Sequence, residues 1–173
     1  MRVAIVGGTG DFGLALAARL VEAGDEVVIG PRDAKRAQEK AREVGASGGA
    51  TNDEAVSAVD LVVLATKADG TLDTAASLAG ALGVTPVLCV ASDLRSKEPV
   101  SLAERTQELV QAPVVAGLHS LAAGKLAHGR PDESSLTVAV SAPALMRAQA
   151  CAAPRARNAL PFESTLQSRC ALE

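Results

Sequence analysis

Aromatic residues are nearly missing from this chain, which has no Trp, no Tyr and two Phe, Phe12 and Phe162, among 173 residues. With 48% hydrophobic residues, its core must be made of Ala, Val and Leu, the composition of parallel strands covered by Ala-rich helices. Cysteine is also sparse. Cys89, Cys151 and Cys170 are far apart, show no CxxC or Cys/His spacing and are odd in number, which excludes a disulfide framework and a cysteine metal centre and fits reduced intracellular thiols. No apolar run reaches the roughly 18 residues of a membrane span, and the first strand starts so near Met1 that a signal peptide has no room. The expected location is the cytoplasm. A net charge of -3 argues against a general nucleic-acid binder. No internal repeat, carboxylate pair, metal cluster or Ser/His/Asp arrangement stands out, so hydrolases and metalloenzymes have little support.

What is present is glycine in one informative place. Residues Gly7 to Gly13 read GGTGDFG directly after the apolar run MRVAIV. Val3, Ala4, Ile5 and Val6 suit a strand buried on both faces, and Leu14, Ala15, Ala18 and Leu20 then take up helical spacing. Gly8-x-Gly10-x-x-Gly13 lies between them. The first glycine allows a tight turn, the second lets a pyrophosphate approach bare backbone, and the third lets the helix pack on the strand. The phosphates would meet N–H groups at the positive end of that helix. Strand, glycine turn and helix in this order point to a dinucleotide site.

The rest of the chain repeats the alternation. Strands are expected at 26–30 (EVVIG), 60–65 (DLVVLA), 86–91 (PVLCVA), 114–118 (VVAGL) and 136–140 (LTVAV). Helices are expected at about 33–44, 71–82, 100–110 and 143–152, with a short one capped by Asn52 or Asp53. Residues 45–49 read as a loop, and His128 as a solvent-facing turn residue. Strands alternating with helices at this spacing predict a right-handed α/β fold, a Rossmann-type doubly wound and mostly parallel sheet in a single domain. A chain of this length buries about two-thirds of its unfolded surface and needs no staples.

An NAD-selective site carries an Asp or Glu roughly 20 residues past the fingerprint to bind the ribose 2′-hydroxyl. That acid is missing. The second strand ends Gly30-Pro31-Arg32, with Lys35 and Arg36 one helical turn on, so three cations gather where a 2′-phosphate would lie and NADP is expected.

The segment MRVAIVGGTGDFGLALAARLVEAGDEVVIGPRDAKRAQEKA, with LVVLATKADGTLDTA, VLCVASDL and VVAGLHSLAAGKLA, resembles the NADPH-dependent coenzyme F420 reductases, and the resemblance covers most of residues 1 to 140. It implies a Rossmann domain in which a hydride passes between NADP(H) and the deazaflavin coenzyme F420 as co-substrate. Thr9, Gly10, Asp11 and Phe12, within the Gly8 to Gly13 fingerprint, would cradle the pyrophosphate. Pro31, Arg32 and Arg36, with Lys35, would surround the 2′-phosphate, and Ala123 would approach the nicotinamide. Thr66 and Lys67, after the third strand, complete the expected cofactor-binding set. They stand where the family has an Ile-Pro-Trp-type segment, and Pro31 stands where it commonly has Ser or Thr. The family resemblance also divides the chain into an NADP-binding domain, 1–157, and a tail, 158–173, similar to the start of a dimer-forming helical segment. A homodimer, weaker than in longer relatives, is expected, with Leu160, Phe162, Leu166 and Leu172 as contact candidates.

Hydride transfer between two flat rings needs orientation more than a proton-transferring side chain, and no metal is called for. His119 and Ser120 follow the fifth strand at the end of the sheet where ligands bind. They are the catalytic candidates, His119 being equally readable as a buried loop residue. Two alternatives stay open: an NADP-dependent reductase of another small acceptor, and a non-catalytic NADP-binding module.

Overall fold

The computed structural model describes residues 1–30 and 34–128. Strand β1 (Arg2–Val6) runs into helix α1 (Asp11–Glu22), β2 (Glu26–Gly30) into α2 (Ala34–Val44), and the two-residue β3 (Gly48–Gly49) into the short α3 (Asn52–Ala55). The second half repeats the scheme with β4 (Leu61–Leu64), α4 (Ala68–Leu82), β5 (Val87–Cys89), α5 (Leu102–Leu109), β6 (Val114–Ala116) and α6 (Ala123–His128). The strands form one sheet in the order β3-β2-β1-β4-β5-β6, and all its pairings are parallel. The expected Rossmann-type doubly wound sheet is present.

Strand alternation sorts the core into two layers, because successive side chains point to opposite faces. Ala4, Val6, Val28, Val62 and Leu64 pack with Leu78 and Leu82 of α4 and Leu102 of α5. Val3, Ile5, Val27, Ile29 and Val63 pack with Leu16 and Ala17 of α1 and Ala41 of α2. Both faces are therefore covered, which is why these strands read as unbroken apolar runs. Helix α1 stops at Gly24, whose φ of +87° permits paired bonds from Gly24 N–H to Leu20's neighbour Val21 C=O and from Asp25 N–H to Leu20 C=O, both 2.9 Å. This is the Schellman closure of a helix end. At its other side α1 holds α6: Arg19 Nε donates to Leu126 C=O at 2.7 Å and its Nη2 to Ala127 C=O at 3.3 Å, a cation on the carbonyl end of a helix.

Several expectations change. Residues 45–49 are not all loop, since Gly48 and Gly49 pair with Val28 and Ile29 as an edge strand. Two glycines carry no side-chain pattern, so a strand held by backbone bonds alone left no periodic signal. A Cβ on Gly49 would fall 2.3 Å from the Ala37 carbonyl carbon, so α2 lies against bare backbone there. The short helix is capped by Thr51, not Asn52 or Asp53, through a reciprocal box with Glu54. Helix α4 begins at Ala68 rather than Thr71, and His128 closes a helix rather than a turn, though it is exposed as expected. The strand at 136–140, the helix at 143–152, the boundary at 157, and the tail residues Leu160, Phe162, Leu166 and Leu172 lie outside the described residues.

Candidate functional site

In the order β3-β2-β1-β4-β5-β6 the chain winds one way from β1 and the other way from β4, and ligands of open α/β sheets bind at the carboxyl ends of the strands where that reversal occurs. A cleft of about 640 Å³ opens there, walled by Gly7, Thr9 and Gly10 after β1 and by Thr66, Lys67 and Gly70 after β4. This volume is in the range of small-molecule sites.

The glycines divide the work differently from the sequence expectation. The residue that needs a left-handed backbone is Gly7, with φ +75°, one position before the fingerprint. Gly8 is required for space: its Cβ would lie 2.7 Å from Ile5 C=O. Gly13 packs on Gly8, and a Cβ on it would lie 2.6 Å from the Gly8 Cα, so the third glycine brings the helix against the turn, where contact with the strand was expected. At Gly10 the nearest atom to an added Cβ is Gly7 C=O at 3.9 Å, and the position faces the cleft. Gly10 is also the N-cap of α1, and no side chain caps that helix. The N-cap of α4 is Lys67, again with no side-chain capping bond. Two helix N-termini, each bearing partial positive charge, thus border one cleft. An uncapped helix start beside a bare, open Gly10 fits a dinucleotide pyrophosphate.

The cleft extends to Arg36 on the first turn of α2, and Lys35 beside it is exposed. Pro31 and Arg32 lie outside the described residues. The missing acid at the end of β2 has a steric counterpart at Gly30, where a Cβ would meet Ala55 Cβ at 2.9 Å and Asn52 Oδ1 at 3.1 Å. Helix α3 leaves no room there for a carboxylate side chain.

Of the other expected residues, Gly8 and Gly13 are buried under the turn, and Asp11 and Phe12 start α1 beside it. His119 and Ser120 are exposed in the turn after β6. They lie at the carboxyl side of the sheet but do not wall the cleft, being two strands from β4. Ala123 opens α6, which packs along α1. Asp69 and Asp73, four residues apart on α4, also face the cleft. The helix expected from the sequence begins at Thr71, which leaves Asp69 outside it, so the spacing of four does not read there as one helical face. Among the described residues no His, Cys, Asp and Glu group could hold a metal, and no helix is long and apolar enough to cross a membrane.

Behind the cleft, Thr66 Oγ1 lies 2.9 Å from Thr71 Oγ1, and Thr71 Oγ1 donates to Lys67 C=O at 3.0 Å. Thr71 is fully buried. Cys89, also fully buried at the end of β5, has its thiol pKa pushed up by burial.

Residues 2–92 match the family model described as NADP oxidoreductase, coenzyme F420-dependent. The F420-dependent NADP reductase of Methanothermobacter thermautotrophicus is 42% identical over 86 residues, covering 45% of this chain and 37% of the relative. That of Methanothermobacter marburgensis is 44% identical over 72 residues, covering 37% and 32%. The chain thus spans about a third of the length of these curated relatives. A crystal structure of an F420-dependent NADP-reductase candidate from Arthrobacter sp. FB24 superposes with a TM-score of 0.64 at 26% identity, covering 72% of this chain and 65% of the other. With its matched half running from β1 through the cleft to the end of β5, the chain belongs to the coenzyme F420-dependent NADP oxidoreductase family.

Proposed function

We propose that this chain is an NADPH-dependent F420 reductase, which binds NADP(H) in the cleft between the β1–α1 turn and the β4–α4 junction and exchanges a hydride with coenzyme F420. The observation that carries the reading is the uncapped N-terminus of α1 at the open Gly10, in a chain of this family. Thr9, Gly10, Asp11 and Phe12 would hold the pyrophosphate through backbone N–H groups and the helix field. Lys35 and Arg36, with Arg32 and Pro31, would receive the 2′-phosphate, and Thr66 and Lys67 would meet the nicotinamide half. The bound nicotinamide supplies or accepts the hydride, so the protein's task is to orient two rings and exclude water between them. Ala123, with His119 and Ser120, is placed by this reading beside the nicotinamide and the deazaflavin. The active form is a cytoplasmic homodimer.

The direct test mixes purified protein with NADPH and coenzyme F420 and follows loss of the deazaflavin absorbance. Reduction of F420 dependent on NADPH supports the reading. NADPH binding without deazaflavin turnover would favour a reductase of another acceptor or a binding module. Light scattering across protein concentrations tests the dimer.

A further inference from the structure

We propose that Thr71 is a positioning residue that holds Thr66 as an acceptor-only contact, directed to a ribose hydroxyl of the nicotinamide half of the dinucleotide rather than to phosphate. The inference rests on the NADP(H) reading of the cleft and concerns how one wall of that cleft discriminates among ligand groups.

A hydroxyl has one proton to donate and two lone pairs to accept with. The Lys67 carbonyl has no proton, so in its 3.0 Å contact the Thr71 hydroxyl is the donor. That uses Thr71's single proton. In the 2.9 Å contact between the two threonines the donor is therefore Thr66, and its own proton points inward, away from the cleft. The reverse assignment would leave the lone pairs of Thr71 and the Lys67 carbonyl facing each other with no proton between them, in the start of α4, where Thr71 is fully shielded from water. The methyl group of Thr66 is fixed as well, because its Cγ2 occupies the space 2.8 Å from where a Cβ on Gly7 would stand. Methyl against the β1–α1 turn and hydroxyl against Thr71 leave one rotamer. What Thr66 offers the cleft it lines is lone pairs alone.

Lone pairs repel phosphate oxygens and accept from a sugar hydroxyl. Arg36 marks the end of the cleft nearer β2, and Thr66 lies after β4 on the far side of β1. In a doubly wound sheet the adenosine half lies over the β1–β2 side and the nicotinamide half over the β4 side. Thr66 thus belongs to the nicotinamide half, and its hydroxyl partner there is the ribose.

The test uses Thr71→Val, which keeps the shape and removes the hydroxyl, Thr71→Ser, which keeps the hydroxyl, Thr66→Val, and the double valine variant. Kd is measured calorimetrically for NADPH and for adenosine 2′,5′-bisphosphate, which lacks the nicotinamide half, with Tm recorded as a check on folding. Expected is a loss of NADPH affinity of about three- to tenfold in Thr71→Val, restoration to within about twofold in Thr71→Ser, and no change for the bisphosphate. The double variant should bind NADPH no more weakly than Thr66→Val, because the two side chains act as one unit. Unchanged NADPH affinity in Thr71→Val, equal losses for both ligands, or additive losses in the double variant would overturn the inference while leaving the cofactor reading intact. Wild-type protein that binds neither ligand would overturn the cofactor reading, and the inference with it.

Discussion

Gly13 and Gly8 touch backbone to backbone: a Cβ on Gly13 would stand 2.6 Å from the Gly8 Cα, so helix α1 sits directly on the turn that starts it. Gly13→Ala must push the helix off that turn, and such overpacking costs about 1–3 kcal/mol. Gly10→Ala differs in kind, because its φ of -82° suits any residue and the space around its Cβ is open. Its stability cost is expected to be about 1 kcal/mol or less, while its methyl group stands where the pyrophosphate approaches. The expected outcome is a crossed pattern, in which Gly13→Ala lowers Tm more than Gly10→Ala does, while Gly10→Ala loses about tenfold or more in NADPH affinity. Thermal melts beside NADPH titrations check it, and a Gly10→Ala protein that binds like wild type would remove the phosphate assignment.

Arg36→Ala should reduce NADPH affinity by about one to two decades, the worth of one charge-assisted phosphate contact, and leave NADH affinity nearly unchanged. Arg32→Ala should act in the same direction. Calorimetric titration of both dinucleotides separates these outcomes, and equal losses for NADPH and NADH would show that Arg36 does not read the 2′-phosphate.

The starts of α3 and α5 use the same device, a Thr or Ser cap answered by a Glu three residues on. Hydrogen bonds from the Ser101 hydroxyl and backbone hold the Glu104 carboxyl below its ordinary 4.5, and those from the Thr51 backbone and hydroxyl do the same for Glu54. Because folding lowers these pKa values, the stabilisation is fully present above the ordinary carboxylate value and is lost as pH falls through the lower folded-state value. The double variant Thr51→Ala, Ser101→Ala is therefore expected to melt below wild type at neutral pH, with the gap narrowing as the solution is acidified through the carboxylate range. Melts across that range measure the gap, and a gap independent of pH would mean that the carboxylates take no part in the caps.

Cys89 should be inert while the protein is folded. It is fully buried, and burial raises its thiol pKa, which lowers the fraction of reactive thiolate. Alkylation followed by peptide mass spectrometry should find Cys89 unmodified in native protein and modified once denaturant is added. Rapid native labelling would contradict the buried position at the end of β5.

The alternation of buried strands with helices was legible in the chain because a doubly wound sheet writes both periods into the sequence: unbroken apolar runs for strands covered on both faces, helical spacing between them. The fingerprint was legible for the same local reason, since a glycine turn between a strand and a helix involves neighbours in sequence. Tertiary structure decided what depends on contacts between distant segments. How closely the turn is hemmed in cannot be read from GGTGDFG, because a Cβ on Gly7 would meet Ala65 and Thr66, which arrive from the far end of β4. The edge strand at Gly48 and Gly49 is held by pairing with Val28 and Ile29 and has no side chains to announce it. Gly30 excludes a carboxylate because Ala55 and Asn52 arrive from a later helix, and Thr66 sets its methyl group against Gly7 because β4 pairs with β1. Periodicity is a property of one segment and survives in its sequence, whereas close approach is a property of two and exists only after they meet.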